Sequence, residues 1–302
     1  MRVAIVTNTY PPHDISGVGT LCAELAVQLP AAGHEAVVLT RQAADDTPEG
    51  RAARTTGGSK LLVPLAVARL YLREVRRSGR IDETGRRTGG SDETGRRTGG
   101  LDQTGRRTGG LDVVHVHESD GFAVALLVRL ARVFRRPSGR ARLIATLQVS
   151  YRRERLSVRP VYADPGGPPV SRPTGSERVF AWIRAPILAG LGRLTARLAD
   201  RVVAPSHATA RELVEDYGAR DVAVVPNGVT LPETPPPAQA PDGPFTVLYA
   251  GRLRTRKAVA VLLAAFARLR ERVPEARLIV VGDGEQRPAL EAQAARLGIY
   301  EP

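Results

Sequence analysis

Two basic side chains, Arg252 and Lys257, stand five residues apart in the segment GRLRTRK, between the apolar run FTVLYAG and a helical pattern. The run predicts a strand, and the apolar spacing that follows predicts a helix from about 257 to 273. In a parallel sheet such a junction lies at the carboxyl edge, where doubly wound folds bind ligands. The helix N-terminus adds partial positive charge there. The spacing therefore predicts an anion site at Arg252 and Lys257, and the alternative is a basic surface turn before a helix.

A glycine-containing segment, SGVGT at 16–20, follows the first apolar run and could bring backbone N–H groups close to a phosphate. Gly17 is the candidate contact, and the alternative is a tight turn that needs a positive φ there. The third glycine of the dinucleotide fingerprint is missing, since its position holds Cys22, and no acidic residue ends the next predicted strand. The segment therefore argues against a nicotinamide cofactor.

Three histidines lie close to predicted strand ends. His115 and His117 are two residues apart in DVVHVH, so they share one face of a strand. The pair is interpreted first as packed core histidines, and an acceptor contact through His117 is the alternative. A metal site would need further ligands, and none is evident. His13, in the glycine segment, is a second candidate for contact with an acceptor.

The elements that must position these residues alternate strand and helix along most of the chain, which predicts an α/β fold with doubly wound parallel sheets. Residues 1–231 form a first predicted domain, and the proline-rich segment 232–244 is a linker. A fresh strand–helix–strand–helix pattern follows in 245–302 and predicts a second, incomplete domain. Residues 177–199 are predicted to be helical from the apolar stripe Phe180, Ile183, Ile187, Leu191, Leu194 and Leu198.

A ten-residue unit occurs three times in 82–111, with almost no apolar residue. Such units cannot offset the cost of ordering the backbone, about 1–2 kcal/mol per residue. They predict an expanded, mobile loop, and an interaction segment of the RGG type is the alternative.

Charge and cysteine content limit the functional classes. The chain has 302 residues and a net charge of +13. Its segment 129–178 contains twelve arginines and only three acidic residues. That segment is either a solvated surface or a patch for an anionic acceptor or membrane. Nucleic acid is a weaker interpretation because no aromatic residues are interleaved for stacking. With one cysteine, no disulfide can form within the chain. The N-terminus predicts a strand instead of a signal peptide, so a cytoplasmic location is expected, with peripheral membrane contact left open.

Six segments in order resemble the family 4 glycosyltransferases. They are YPPHDISGVGT with the following LAVQLPAAGHEAVVLT, DVVHVHES, VVAPSHATARELVEDYG, VAVVPNGV, VLYAGRLRTRKAVAVLLAAFARL and LIVVGDGEQRPALE. Each segment alone is a weak signal, and the shared order makes the resemblance specific. It covers nearly the whole chain apart from the repeat.

The resemblance implies a GT-B fold, with two Rossmann-like domains facing a cleft. It also implies transfer of a sugar from a nucleoside diphosphate donor to an acceptor with retention of configuration, without a metal or other cofactor. The first domain would hold the acceptor, whose chemistry the resemblance leaves open, and the second the donor. Arg252 and Lys257 match the pair that contacts the donor diphosphate, and Gly17 would face the same phosphates or the acceptor. Gly282, Asp283, Gly284 and Glu285 would lie near the donor, or would form an ordinary turn.

Two departures from the family pattern bear on activity. Gln148 stands where the family has a histidine in its catalytic region, and an amide donates a hydrogen bond but carries no charge. The E-x7-E segment that grips the donor is missing from the 302 residues. We therefore expect weak or no transfer by this chain. The alternatives to an enzyme are a non-catalytic fragment that binds phosphate or sugar ligands and an arginine-rich protein that binds polyanions.

Overall fold

The structure is a computed structural model, and it describes residues 1–11, 16–40, 53–55, 67–76, 110–136, 140–164, 166–231 and 243–300. The repeat, except for its last two residues, lies outside this part of the chain, and so do His13 and most of the predicted linker. The described residues divide into two compact units. Unit 1 comprises Met1–Tyr151 and Ile187–Leu231, and unit 2 comprises Arg152–Pro186 and Pro232–Pro302.

Unit 1 contains a sheet in which seven described strands are parallel, in the order β3-β2-β1-β4-β5-β8-β9. The strands are β1 (Arg2–Val6), β2 (Glu35–Thr40), β3 (Ala53–Thr55), β4 (Val113–His117), β5 (Arg142–Thr146), β8 (Arg201–Ala204) and β9 (Ala223–Val224). Its helices are α1 (Gly17–Ala31), α2 (67–76), α3 (Phe122–Val133) and α6 (His207–Tyr217). The strand order reverses between β1 and β4, and ligands of doubly wound folds bind at such a point.

Both faces of this sheet are covered, which explains why its strands read as continuous apolar runs. Ala4 and Val6 of β1 pack with α2 and α3 on one face. Val3 and Ile5 pack on the other face against α1, where Cys22 is fully buried. Alternate side chains of β1 therefore serve two separate cores.

Unit 2 is built on a two-stranded parallel sheet of β10 (Thr246–Ala250) and β11 (Arg277–Val281). Helices α7 (Val259–Arg270) and α8 (Arg287–Arg296) pack through Leu263 and Leu290 into one apolar cluster with it. Leu248, Ile279 and Val281 are exposed on the sheet. Parallel sheets are normally covered on both faces, so the described part of this unit is a partial Rossmann-like layer.

The segment 152–186 also belongs to unit 2, whereas the sequence-based division placed it in the first domain. It contains α4 (Tyr151–Ser157), the antiparallel pair β6 (Val161–Tyr162) and β7 (Pro169–Ser171), and the first half of α5 (Gly175–Leu198). The Glu177 side chain of this segment hydrogen-bonds to Thr255 in the loop after β10. These hydrogen bonds hold the segment in unit 2. Sequence periodicity contains no signal for such long-range contacts.

Helix α5 forms where the apolar stripe predicts a helix, but much of the stripe faces solvent. Ile183 and Ile187 are more than half exposed, whereas Ala181, Ala185 and Ala196 are buried. Small side chains allow close packing, so the face rich in alanine lies inward. A π turn, Phe180–Arg184, interrupts the helix before Pro186, which lacks the N–H that would continue the regular pattern.

Candidate functional site

The basic loop of unit 2 leaves the carboxyl end of β10 and is fixed by backbone hydrogen bonds to the loop after β11. The Leu253 N–H donates to the Asp283 carbonyl at 2.9 Å, and Leu253 is buried. A single 3-10 turn, Thr255–Lys257, precedes Ala258, which has a φ of 53° and leads into α7. Lys257 therefore lies just before the helix start instead of in its first turn.

The four cations of this loop occupy different environments. Arg252 and Lys257 are exposed, and no ion pair of the Lys257 ammonium occurs within the described residues. Arg254 is half-buried, and Arg256 forms an ion pair with Glu154 at 2.8 Å. Arg254 and Arg256 therefore differ from Arg252 and Lys257, since one is half-buried and the other is held by an ion pair.

Glu177, on α5, holds the turn in the middle of this loop. Its carboxylate accepts hydrogen bonds from the Thr255 N–H at 3.1 Å and the Thr255 hydroxyl at 2.6 Å. It also accepts from the Thr174 N–H at 3.0 Å, completing a capping box at the start of α5. Glu177 and Thr255 are both buried, so this carboxylate fixes the backbone between Arg252 and Lys257.

A second buried side chain, Gln286, reinforces the same turn. Its amide donates to the Thr255 hydroxyl at 2.8 Å and to the Arg172 carbonyl at 3.1 Å, and it accepts from Ser171 at 3.0 Å. Sequence reasoning missed Glu177, Thr255 and Gln286. The capping-box spacing of Thr174 and Glu177 is the one local signal that marks any of them.

The GDGE segment lies beside the basic loop, and its glycines are required by close packing. A Cβ on Gly282, whose φ is 144°, would come within 1.9 Å of the Gly251 carbonyl oxygen. The exposed Asp283 accepts from the Gly284 N–H at 2.8 Å. Glu285 accepts from Ser176 and Thr174, and these hydrogen bonds lower the pKa of its carboxyl group. The segment hydrogen-bonds to the backbone of the basic loop and leaves the Asp283 side chain exposed.

In unit 1, Gly17 is the first residue of α1, the helix that follows β1 in the chain. Ser16 caps this helix by accepting from the Gly19 N–H at 3.1 Å. Gly17 is exposed, and a Cβ placed on it would meet nothing within 4 Å. The alternative of a positive φ at Gly17 is wrong, because the residue is helical. Internal packing therefore does not require this glycine.

The histidines of β4 form a pair in which His117 is buried and His115 is half-buried. The rings of His115 and His117 lie 4.3 Å apart between centroids, and His115 Nε2 is 2.7 Å from the Thr146 hydroxyl. Burial lowers the pKa of His115 to about 4 and holds the pKa of His117 well below its ordinary value. Neither ring nitrogen of His117 has a hydrogen-bond partner within the described structure. The lowered pKa values favour the neutral form of both rings near pH 7.

Gln148 is anchored at both its backbone and its side chain, near the carboxyl end of β5. Its N–H donates to the Glu118 carboxylate at 2.8 Å. Its side-chain amide exchanges two hydrogen bonds with that of Asn227, at 3.2 and 3.0 Å. Glu118 itself has a φ of 60° at the end of β4, an unusual conformation for a residue with a side chain. No local sequence pattern connects Asn227 with Gln148, which are 79 residues apart.

Neither the cavity of unit 1 nor the metal-ligating side chains of the described residues add a third candidate site. A cavity of about 550 Å³ lies between α6 and β9 and is lined by residues that include His207, Arg211 and Glu215, but by no predicted site residue. Within the described ranges, no group of three or more His, Cys, Asp or Glu residues could hold a metal ion. The basic loop of unit 2 and the carboxyl edge of unit 1 therefore remain the two candidate sites.

The α/β architecture is that of GT-B glycosyltransferases, as comparison with solved structures shows. The catalytic domain of starch synthase IV from Arabidopsis thaliana, bound to ADP and acarbose, matches with a TM-score of 0.56 and 13% identity, over 98% of this chain and 71% of that one. The lipopolysaccharide outer core galactosyltransferase WaaB in its apo form matches with a TM-score of 0.50 and 17% identity, over 99% and 66%. The fold prediction is confirmed.

The family model of Glycosyltransferase Family 4 matches residues 15–233, and that of Glycosyl transferases group 1 matches residues 232–301. The chain belongs to Glycosyltransferase Family 4, so the predicted family is also confirmed.

Curated relatives agree with this family. The D-inositol 3-phosphate glycosyltransferase of Nocardiopsis dassonvillei is 37% identical over 35% of this chain and 29% of its own length. The glycogen synthase of Mycobacterium tuberculosis strain CDC 1551 is 25% identical over 98% of this chain and 65% of its own length. The chain thus spans less than two thirds of these relatives.

Proposed function

We propose that the protein transfers a sugar from a nucleoside diphosphate donor to an acceptor with retention of configuration. Family membership supports glycosyl transfer, and two neighbours in fold were solved with ADP or UDP bound. The observation that carries the proposal is the basic loop after β10, which exposes Arg252 and Lys257 at the carboxyl edge of a parallel pair. Ligands of doubly wound folds bind at this edge.

In this proposal the loop stabilises the leaving group. Breaking the bond to the sugar increases negative charge on the diphosphate, and the cations of Arg252 and Lys257 are placed to neutralise it. Preorganisation matters because a group that need not move during the reaction lowers the barrier most effectively. Glu177 and Gln286 supply that rigidity by fixing Thr255 between the two cations.

The residues of unit 1 would serve binding and positioning. The open surface at Gly17 leaves room for a phosphate or an acceptor group near the start of α1, where backbone N–H groups favour anions. Gln148 can donate a hydrogen bond to a sugar hydroxyl, but it cannot act as an acid or base. We place the protein in the cytoplasm. Its arginine-rich segment 129–178 supports contact with an anionic acceptor or membrane surface.

The test is calorimetric titration of a nucleoside diphosphate into the purified chain. Arg252→Ala and Lys257→Ala should each weaken binding about ten- to a hundredfold, since a charge-assisted hydrogen bond contributes about 1.5–3 kcal/mol. Arg270→Ala, at the far end of α7, is the matched control and should change little. Arg254→Ala and Arg256→Ala should have smaller effects than the first pair. Equal losses in all the loop variants would instead indicate a diffuse basic patch.

Binding and transfer must be separated, because a non-catalytic fragment would bind the same ligand. Radiolabelled nucleotide sugars should be tested for transfer and for hydrolysis in parallel with the titrations. Nucleotide binding without either reaction would support the alternative of a ligand-binding fragment. Salt-sensitive binding of unrelated polyanions, with no preference for a diphosphate, would support the arginine-rich binder.

A further inference from the structure

The first half of α5 exposes large apolar side chains within unit 2. Val179 is 53% exposed, Trp182 73% and Ile183 58%. Their spacing of three and four residues places them on one side of the helix. We call these three residues the α5 apolar face. Contiguous exposed apolar patches, unlike scattered single residues, mark sites of interaction.

The opposite side of the same half-helix is committed to the protein. Ala181 and Ala185 are buried, and the buried Glu177 is bonded to Thr255. The helix cannot rotate to hide its apolar face without breaking these contacts. Within the described residues of unit 2, these contacts therefore keep the apolar face exposed.

Positive charge surrounds the α5 apolar face. The guanidinium of Arg155 lies 5.3 Å from the ring centroid of Trp182, and Leu156 beside it is exposed. Segment 152–186 contains seven arginines and three acidic residues, and all three acidic residues are already bonded to other parts of unit 2. The surface around Trp182 is thus apolar with a cationic rim.

We propose that the α5 apolar face, with Arg155, docks unit 2 on an anionic membrane surface. Tryptophan and aliphatic residues enter the boundary between headgroups and acyl chains, while arginine pairs with lipid phosphate. A second copy of the chain fits less well, since it would bring an equally cationic rim against the first. The proposal does not depend on transfer activity.

The helix lies on the membrane in this arrangement and does not cross it. Gly175–Leu198 is long and apolar enough to span a bilayer by length and composition, with a mean hydropathy of 1.2 in its best window. However, 28% of that window is buried inside the protein, and four arginines, Arg178, Arg184, Arg193 and Arg197, are spread along the helix. A spanning helix would have to give up the packing of Ala185 and the bonds of Glu177.

The sequence provides its own probe, because Trp182 is the only tryptophan. Its emission should shift to the blue when the full chain is mixed with phosphatidylcholine vesicles containing phosphatidylglycerol, and brominated acyl chains should quench it. Vesicles of phosphatidylcholine alone should cause a smaller shift, and added salt should weaken binding. Co-sedimentation gives the fraction bound.

Ile183→Asp should reduce vesicle binding at least about tenfold, since it removes buried apolar area and adds a charge repelled by the lipid. Val229→Asp is the matched control, because Val229 is 74% exposed in unit 1 and lies outside segment 129–178, and vesicle binding by this variant should be unchanged. An unshifted Trp182 emission with anionic vesicles would overturn the proposal, as would equal binding by Ile183→Asp. It would also be overturned by emission that is already blue-shifted without lipid and depends on protein concentration, because a second copy would then cover the face.

Discussion

Gln148 and Asn227 each donate a hydrogen bond to the side-chain carbonyl oxygen of the other, at 3.2 and 3.0 Å. The pair joins the segment after β5 to the segment after β9, so the carboxyl ends of two strands are linked at the edge of the unit 1 sheet where ligands are expected. A glutamine amide carries a donor and an acceptor side by side, whereas each ring nitrogen of a histidine can only donate or only accept. One histidine nitrogen at position 148 could therefore make only one of these two bonds. The glutamine is thus matched to this asparagine.

We expect Gln148→Ala and Asn227→Ala to be coupled. Both amides are partly accessible to water, so the pair should contribute about 0.5–1 kcal/mol to the free energy of unfolding. A double-mutant cycle measured by urea denaturation gives the coupling energy. Asn227→Asp is the informative control, since it keeps an acceptor for Gln148 but loses the donor. Strictly additive single and double variants would show that the two bonds add nothing.

Glu177→Ala should lower both the stability of unit 2 and its affinity for a nucleoside diphosphate. The buried Thr255 N–H would lose its acceptor, at a cost of about 1–3 kcal/mol, and the loop between Arg252 and Lys257 would loosen. Hydrogen exchange at Thr255 and calorimetric titration measure the two effects. Glu154→Ala breaks only the partly exposed ion pair with Arg256, so stability should change by less than about 1 kcal/mol. If affinity survives the loss of Glu177, its carboxylate does not position the loop.

Two glycine-to-alanine changes should have opposite effects on stability. Gly282→Ala forces a Cβ to within 1.9 Å of a backbone oxygen at a positive φ, so we expect a loss of about 3 kcal/mol or more. Gly17→Ala meets open space in a helix and should leave stability unchanged or raise it by up to about 1 kcal/mol. Thermal or urea unfolding distinguishes them. If Gly17 contacts a ligand, its variant should still bind more weakly, and full affinity would remove Gly17 from the site.

Acid should destabilise unit 1 through the histidine pair. The pKa of His115 is about 4 in the folded protein and 6.5 for an ordinary histidine, so the unfolded chain gains a proton first as the pH falls. The free energy of unfolding should therefore decrease between pH 6.5 and about 4, with His117 acting in the same direction. His115→Asn should flatten this part of a urea-denaturation profile. His207→Asn removes an exposed ring instead, and an identical effect of both changes would contradict the role of burial.

Local patterns predicted most of the regular structure. The apolar runs at β1, β4 and β10 form parallel strands in the structure. Helix α6 begins after its N-cap residue Ser206 and ends at Gly218, which has a left-handed conformation. These features depend on neighbouring residues, so they can be read along the chain. The basic loop was found for the same reason, because a strand end, a cation pair and a helix start are adjacent in sequence.

Contacts between distant segments could not be read in this way. Glu177 and Thr255 are far apart in sequence and meet only because 152–186 folds with the C-terminal residues. The inward face of α5 could not be predicted either. The apolar stripe suggests burial of Ile183 and Ile187, whereas alanines are buried instead. At Gly192 of the same helix, a Cβ would come within 2.9 Å of the Tyr217 ring, so this contact also favours a residue without a side chain.

The burial of Cys22 has a practical consequence. It is the only cysteine in the sequence, it has no exposed surface, and burial raises the pKa of its thiol to about 12. Thiolate is the species that reacts with alkylating reagents, so the folded chain should resist labelling. The rate of modification by a small maleimide then reports how often α1 detaches from the sheet. A cysteine introduced at any exposed position would become the one reactive thiol on the folded protein.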